Sequence, residues 1–288
     1  IEKGEQIHDE IVSKNFLEKN MVLGNALVDM YAKCGALIKA QQVHEKLCIR
    51  NVVSWNALIV GYAQQGAGHE ALNCVAMMQN EGITLDEVTF TSILMACGSI
   101  GAIHKGKHIH NEIVHRGLLE RNVVIGNALV DMYTKCGMLV KAQRVLDEIP
   151  VRDVVSWSTL IAGYAQQGHA HEALHCFEKM QREGLSPNEV TFTCILKACG
   201  SIRAIDYGQE VHDKISSRGM LLKNIVLGNA LVDMYAKCGL LPKAQKVLED
   251  LPIRDVVSWS SLIAGYAEEG QGHQALECFA KMQREGLS

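Results

Sequence analysis

Residues 52–86 read VVSWNALIVGYAQQGAGHEALNCVAMMQNEGITLD and contain two amphipathic helical patterns in succession. The first pattern places apolar side chains at i, i+3, i+4 and i+7, which predicts one buried helix face. These side chains are Trp55, Leu58, Ile59 and Tyr62. Gly66 marks the break after this helix, and a second pattern begins near His69. The segment therefore predicts a pair of helices, which we call helix A and helix B.

The same pattern recurs along the whole chain. The phrase VVSW places tryptophans at Trp55, Trp157 and Trp259, so the sequence repeats every 102 residues. A weaker pattern, with valine second and a short polar residue fifth, divides each repeat into segments of 35, 36 and 31 residues. Its copies begin at Met21, Val52, Glu87, Val123, Val154, Glu189, Ile225 and Val256. Self-similarity at this spacing is the signature of a repeat protein.

Repeated helix pairs predict the fold class. A pair of this size cannot bury its own apolar face and must stack on its neighbours. Sustained alternation of apolar and polar residues, the pattern of a half-buried strand, is missing from the sequence. We therefore predict an all-α, right-handed superhelical solenoid of helix-turn-helix repeats, with helix A along its concave side.

The cysteines follow the same periodicity. Eight of the ten fall at repeat-equivalent positions: Cys34, Cys136 and Cys238; Cys97 and Cys199; Cys74, Cys176 and Cys278. Because free cysteine is among the most buried residue types, this pattern predicts thiols that pack between helices.

The segment lengths resemble the motifs of the pentatricopeptide repeat family. The 35-residue segments are similar to its P motif, the 36-residue segments to its L motif and the 31-residue segments to its S motif, in the order of the plant PLS class. The predicted array comprises a partial L motif at 1–20, S motifs at 21–51, 123–153 and 225–255, P motifs at 52–86 and 154–188, L motifs at 87–122 and 189–224, and a truncated P motif at 256–288. The tetratricopeptide repeat, the nearest alternative, keeps a uniform period of about 34 residues.

The resemblance implies a protein that binds single-stranded RNA, and not DNA, at about one base per motif. In the family the second residue of each motif packs against the faces of the bases. Those residues are Val22, Val53, Val88, Val124, Val155, Val190, Val226 and Val257. The alternative for valine at the start of a helix is burial in the protein core.

In the family, the fifth and last residues of each motif together select the base. The fifth residues are Asn25, Asn56, Thr91, Asn127, Ser158, Thr193, Asn229 and Ser260. The last residues are Asn51, Asp86, Asn122, Asp153, Asn188, Asn224 and Asp255. An amide both donates and accepts hydrogen bonds whereas a carboxylate only accepts, which gives such a pair different patterns for different bases. The alternative for the last residues is to cap the next helix or form the turn.

The family's pairings convert these residues into an expected RNA sequence. Asn with Asp implies U, Asn with Asn implies C, and Ser or Thr with Asn implies A. With the RNA running 5′ to 3′ along the chain, the resemblance implies 5′-CUaUAaUR-3′. Lower case marks the L motifs, which follow the code poorly in the family, and R marks the purine implied by Ser260.

Phosphate contacts are expected to be local, because the formal net charge is −4. The candidates are the recurring lysines Lys33, Lys135 and Lys237. Aspartates recur on the same helices at Asp29, Asp131 and Asp233. We therefore expect the affinity for RNA to depend only modestly on salt concentration. The alternative for these lysines is simple solvation.

Two motifs look catalytic. Residues 171–175 read HEALH, the H-E-x-x-H pattern of zinc proteases, but the equivalent stretches read HEALN at 69–73 and HQALE at 273–277. A cytidine deaminase needs H-x-E followed by P-C-x-x-C, and the chain supplies only the first half, at 8–10 and 110–112. We therefore predict no catalytic residue, metal or cofactor. The sequence also contains no apolar run long enough to cross a membrane.

The PLS resemblance implies the target-recognition tract of an organellar C-to-U RNA editing factor, located in the mitochondrion or chloroplast. An RNA processing or stability factor of the same organelles is one alternative. A protein-interaction scaffold is another, because L motifs bind the multiple organellar RNA editing factors in flowering plants. The residues expected at such a surface are Ile109, Ile113 and Val114, for which burial in the solenoid is the competing interpretation.

Overall fold

The computed structural model describes residues 2–14, 20–222 and 224–287. Within those residues the secondary structure consists of 17 α-helices and one 3-10 helix, with no strand. Parts of the predicted motifs at 1–20, 189–224 and 256–288 lie outside the described residues, namely residues 1, 15–19, 223 and 288.

The connections between successive helices are short within a helix pair and longer between pairs. Residues 1–152 hold α1 (Glu2–Ser13), α2 (Met21–Lys33), α3 (Leu37–Glu45), α4 (Val52–Gln64), α5 (Gly68–Asn80), α6 (Glu87–Ile100), α7 (Ile103–His115), α8 (Val123–Lys135) and α9 (Leu139–Glu148). Residues 153–288 hold α10 (Val154–Gln166), α11 (Ala170–Arg182), α12 (Glu189–Ser201), α13 (Ile205–Ser217), the 3-10 helix (Met220–Leu222), α14 (Ile225–Lys237), α15 (Leu241–Asp250), α16 (Val256–Glu268) and α17 (Gly272–Arg284).

Every helix A begins at the residue at which the sequence pattern begins. The even-numbered helices from α2 to α16 are the A helices, and each is preceded by an asparagine or aspartate whose side chain accepts a hydrogen bond from a backbone N–H of the first turn. Such a cap satisfies donors that have no partner inside the helix. We keep the names S, P and L for the 31-, 35- and 36-residue segments.

The chain divides into two compact units, Ile1–Arg152 and Asp153–Ser288. Inside each unit, helix A contacts helix B of its own segment and helix A of the next: α4, for example, contacts both α5 and α6, and α14 contacts both α15 and α16. Each unit is therefore a stack of helix pairs in which successive A helices lie side by side.

Small residues allow neighbouring A helices to approach closely. A Cβ atom on Gly98 of α6 would lie 3.3 Å from the Cα atom of Met132 on α8. The same spacing of 3.3 Å recurs between Gly200 of α12 and Met234 of α14. A Cβ atom at this distance would be crowded, so glycine favours the close approach of the two backbones.

The three tryptophans anchor the P segments. Trp55 and Trp157 are 1% and 2% exposed, and the indole N–H of Trp55 donates to Glu81 at 3.0 Å. The indole of Trp259 donates to Glu285 at 2.9 Å in the same way. A buried indole needs such a partner, and the glutamate at the end of helix B supplies it. The apolar stripe predicted for residues 52–86 is therefore confirmed as the buried face of α4.

The prediction for the cysteines is wrong at one position. Cys97 and Cys199 are buried, whereas Cys34 is exposed. The thiol of Cys136, equivalent to Cys34, lies 3.8 Å from the carbonyl oxygen of Cys97 on the helix A before it. Within the described residues no helix A precedes α2, the helix that ends at Cys34, so Cys34 has no such neighbour there. In the part of the chain that the structure describes, none of the helices is long and apolar enough to span a bilayer.

Candidate nucleic-acid interface

The second residue of every helix A is exposed. The eight valines expose between 48% and 69% of their surface, although each stands at the start of a helix whose next turn is buried. Burial, the alternative interpretation of these residues, therefore does not hold. Apolar side chains left in solvent at one equivalent position of every segment form a surface that the fold itself does not need.

Three fifth residues contact the last residue of their own segment directly. The amide Nδ2 of Asn56 donates to both carboxylate oxygens of Asp86, at 2.9 Å each. In another segment Asn229 donates to both oxygens of Asp255, at 3.1 Å each. The Nδ2 of Asn25 donates to Oδ1 of Asn51 at 3.3 Å. The structure thus brings these predicted pairs together across two neighbouring A helices.

The fourth pair is joined through a threonine. The hydroxyl of Thr191 donates to Oδ1 of Asn188 at 2.8 Å, and the hydroxyl of Ser158 lies 2.7 Å from the Thr191 oxygen. Since the Thr191 proton is directed at Asn188, Ser158 is the donor in the second contact. Within the described residues the Nδ2 group of Asn188 makes no hydrogen bond. The pair therefore presents a hydroxyl oxygen and an amide N–H₂ group.

These atoms match particular base edges. At the ring nitrogen of the Watson–Crick edge, an amide N–H₂ can donate to the bare nitrogen of adenine or cytosine, whereas a carboxylate can accept from the N–H of uracil or guanine. Asn188 with the Ser158 oxygen fits the N1 acceptor and N6 donor of adenine. Asp86 and Asp255 fit the N3–H donor of uracil.

The carboxylates at these positions stay ionised. Burial raises the pKa of Asp86, but hydrogen bonds from the Thr89 backbone, Asn56 and the Thr89 hydroxyl together outweigh it and hold the pKa below its ordinary value. The pKa of Asp255 is lowered by the same set of contacts, with Ser258 and Asn229 as the donors. Both groups are therefore acceptors, and not donors, at neutral pH.

Two S segments carry an acceptor without a partner. The side-chain Oδ1 atoms of Asn25 and Asn229 are buried within the described part of the chain and make no hydrogen bond. In the P segment, by contrast, Oδ1 of Asn56 lies 2.7 Å from the hydroxyl oxygen of Thr89, whose single proton it shares with Asp86. A buried acceptor left unpaired costs about 1–3 kcal/mol.

The pairs of the L segments are not joined. Within the described residues, the hydroxyl of Thr91 makes hydrogen bonds only to carbonyl oxygens of its own helix, the nearer at 2.9 Å. Thr193 likewise donates to the carbonyl of Glu189 at 2.8 Å. The amide of Asn122 is held instead by the carboxylate of Glu87, the first residue of the same segment. An L pair therefore presents no shared hydrogen-bonding edge.

The last residues of the segments were given two interpretations, capping and base selection. Capping is confirmed, because each of these residues accepts from a backbone N–H at the start of the next helix. Capping also restricts the side-chain conformation, because one side-chain oxygen is tied to the backbone of the next helix. The remaining predicted residues are placed as follows: Asn127 is half-buried on α8, Asp153 caps α10, Asn224 caps α14, and Ser260 is exposed on α16.

The candidate phosphate contacts are paired with acidic residues. Lys33, Lys135 and Lys237 each lie 2.7 Å from an aspartate one helical turn earlier. The lysine side chains remain about half exposed or more, at 73%, 49% and 48%. Exposed pairs of this kind are weak, so the lysines stay available to an anion.

Two further regions were singled out in the sequence: the HEALH stretch at 171–175 and the expected protein-binding surface on α7. His171 and His175 are both exposed on α11. On α7, Ile109 and Ile113 are buried in the fold, as the burial interpretation predicts, whereas Val114 is 52% exposed.

Sequence reasoning missed the third residue of each segment. It is serine or threonine in the P and L segments and joins the network through its hydroxyl, as Thr191 does. The signal was present, because an Asn or Asp followed three positions later by a hydroxyl is a capping pattern.

Comparison with known proteins agrees with the fold. The model described as "PPR repeat family" matches residues 50–99 and 152–201, and the model described as "PPR repeat" matches residues 25–52, 88–118, 127–154, 229–256 and 257–287. The pentatricopeptide repeat-containing protein At4g18520, chloroplastic, of Arabidopsis thaliana is 38% identical over 284 residues, covering 99% of this chain and 46% of the relative. The mitochondrial relative At3g53360 of the same plant is 36% identical over 288 residues, covering 99% of this chain and 37% of its own.

A solved structure shows the same architecture. The crystal structure of the maize pentatricopeptide repeat protein PPR10 in complex with an 18-nt psaJ RNA element superimposes with a TM-score of 0.82 at 21% identity, covering 99% of this chain and 43% of PPR10. This likeness confirms the predicted all-α helical-repeat fold. The chain spans less than half the length of these relatives. Together, the repeat models over more than half of the residues establish that the chain belongs to the pentatricopeptide repeat family.

Proposed function

We propose that this chain binds single-stranded RNA and that its S and P segments select the bases of the sequence 5′-CUaUAaUR-3′. The observation that carries the proposal is the pairing of fifth and last residues in four segments, beside an exposed valine in each. A polar pair next to an apolar surface is what an unstacked base needs, because its edge forms hydrogen bonds and its faces are apolar.

The hydrogen-bond donors and acceptors of each pair complement the base assigned to it. Asn51, whose Oδ1 accepts from Asn25, offers an amide donor to the N3 acceptor of cytosine. Asp86 accepts from the N3–H of uracil. Ser158 is shorter than asparagine, which leaves space for the larger adenine opposite Asn188.

Selection of bound RNA from a random pool tests the proposal directly. We expect enrichment of C, U, U, A and U at nucleotides 1, 2, 4, 5 and 7 of the string, and weak preference at nucleotides 3 and 6. Enrichment in the reverse order would contradict the polarity. Binding without base preference would contradict sequence-specific recognition.

The chain's role within the cell is a further part of this proposal. We place it in a mitochondrion or chloroplast, because relatives 35–38% identical are named mitochondrial or chloroplastic. There it serves as the target-recognition tract of a C-to-U editing factor, with the editing factors that bind L segments as partners. Sequencing organellar transcripts in a line with a disrupted gene separates the alternatives: loss of one edited cytidine supports editing, whereas altered RNA ends with editing intact support a processing factor.

A further inference from the structure

The residue that ends each segment adopts one of two backbone conformations. At the ends of the S and P segments its ψ angle lies between 176° and −177°. Before each S segment the corresponding asparagine has a ψ angle between 94° and 101°. The two values differ by about 80°. The four joined pairs end in a residue of the first conformation, and the L pairs end in a residue of the second.

The two conformations follow the third residue of the next segment. Where that residue is serine or threonine, its hydroxyl oxygen accepts a hydrogen bond from the backbone N–H of the capping residue and closes a capping box. The residues of this kind are Ser54, Thr89, Ser156, Thr191 and Ser258. Where it is aliphatic the box cannot form. Those residues are Leu23, Ile125 and Leu227.

The hydroxyl also directs protons within the pair. Thr191 accepts from Ser158 and donates to Asn188 Oδ1, so that Ser158 can offer only lone pairs, and Asn188 only its N–H₂ group, to a base. Without the hydroxyl, Ser158 could rotate its proton outward and act as a donor. Adenine and guanine present opposite patterns at these two positions, so the choice of base would then weaken.

We propose that the third residue of each segment is a positioning residue for the segment before it: a hydroxyl there holds the preceding pair in the conformation that selects a base, and an aliphatic side chain releases it. The inference rests on the RNA-binding function proposed above and accounts for the weak base preference expected of the L segments. Ile125 is fully buried, and Asn122 before it has a ψ angle of 101° where Asn188 has −177°.

The test measures binding of the whole chain to four RNAs that differ only at nucleotide 5 of the string. We expect Thr191→Val, which removes the hydroxyl and keeps the volume, to reduce the preference for A over G by about tenfold, the effect of one lost discriminating contact. Preferences at nucleotides 1, 2 and 4 should not change. The conservative variant Thr191→Ser keeps the hydroxyl and should retain the wild-type preference.

The outcomes separate the two proposals. Wild-type protein without any base preference overturns the proposed function and this inference with it. If Thr191→Val keeps the wild-type preference at nucleotide 5, only the inference is overturned. The same holds if Thr191→Val loses the same affinity for all four RNAs. A second experiment makes the reverse change: Ile125→Thr combined with Glu87→Val should create a preference for A at nucleotide 3. Unchanged preferences at nucleotides 1 and 2 show that this variant is correctly folded. If it is folded and gains no preference at nucleotide 3, the inference is contradicted.

Discussion

The side-chain amide of Asn56 donates to both carboxylate oxygens of Asp86, which stands 30 residues later at the cap of the next helix A. One residue supplies the donor and the other the acceptors, and the capping box holds the carboxylate through Thr89. The base-selecting pair is therefore built from two helices whose relative position the stacking of the repeat determines.

The first prediction exchanges this acceptor for a donor. In Asp86→Asn the outward atom becomes an amide N–H₂ group, which fits the N3 acceptor of cytosine better than the N3–H of uracil. We expect the preferred base at nucleotide 2 to change from U to C, by about 1–3 kcal/mol in relative binding free energy. Competition binding between two RNAs that differ at this nucleotide measures the change. The control Asp147→Asn removes the same charge from an exposed site and should leave the preference at U.

A second prediction concerns the exposed valines. Val155 is 54% exposed at the start of α10, and stacking against a base face is the role proposed for it. Truncation in Val155→Ala should weaken RNA binding by about threefold to tenfold, at the lower end of what a lost stacking contact costs. Val140, on helix B, is 66% exposed and provides a matched control. Equal affinities for Val155→Ala and Val140→Ala, measured by fluorescence anisotropy, would contradict a contact with RNA at Val155.

A third prediction tests the phosphate contact. Lys135 is paired with Asp131 at 2.7 Å, and the exposed pair can exchange for a phosphate at little cost. For single-stranded RNA, the loss of one phosphate contact reduces the slope of log affinity against log salt by about 0.7. We expect this reduction in Lys135→Gln and none in Lys246→Gln, where the lysine lies on helix B. Two identical slopes would exclude the contact at Lys135.

The sequence predicts the helices well and the L pairs poorly, for physical reasons. Periodicity of apolar residues is a local property, and it correctly placed the buried face of α4 around Trp55. Thr91 and Asn122 are not joined, and the amide of Asn122 is held by Glu87, at the far end of the same segment; such a long-range contact is not visible in a local pattern. The exposure of Cys34 has a similar cause, since it depends on a neighbouring helix and not on its own segment.

The last prediction concerns a buried histidine. His44 stands where the later S segments have Leu146 and Leu248, both fully buried. Its ring packs edge-on against Trp55, with 4.2 Å between the ring centroids, and its Nε2 atom has no hydrogen-bond partner in the described part of the chain. Burial lowers the pKa of His44 to about 4. The ordinary pKa in an unfolded chain is about 6.5. Between these values the unfolded state binds the proton more readily, so the free energy of unfolding falls as the pH decreases.

This linkage predicts that leucine at position 44, the residue found at the equivalent positions 146 and 248, increases the stability of the protein at low pH. Going from pH 7 to pH 5, His44 should cost the wild-type protein about 2 kcal/mol of stability. In His44→Leu that loss is absent, so the variant should be close to the wild type at pH 7 and more stable than it at pH 5. Urea unfolding at the two pH values measures the difference, with His171→Gln, a change at an exposed histidine, as the control. If the stability difference between His44→Leu and the wild type is the same at both pH values, His44 is not the group that titrates, because only a proton bound to the unfolded state makes that difference depend on pH.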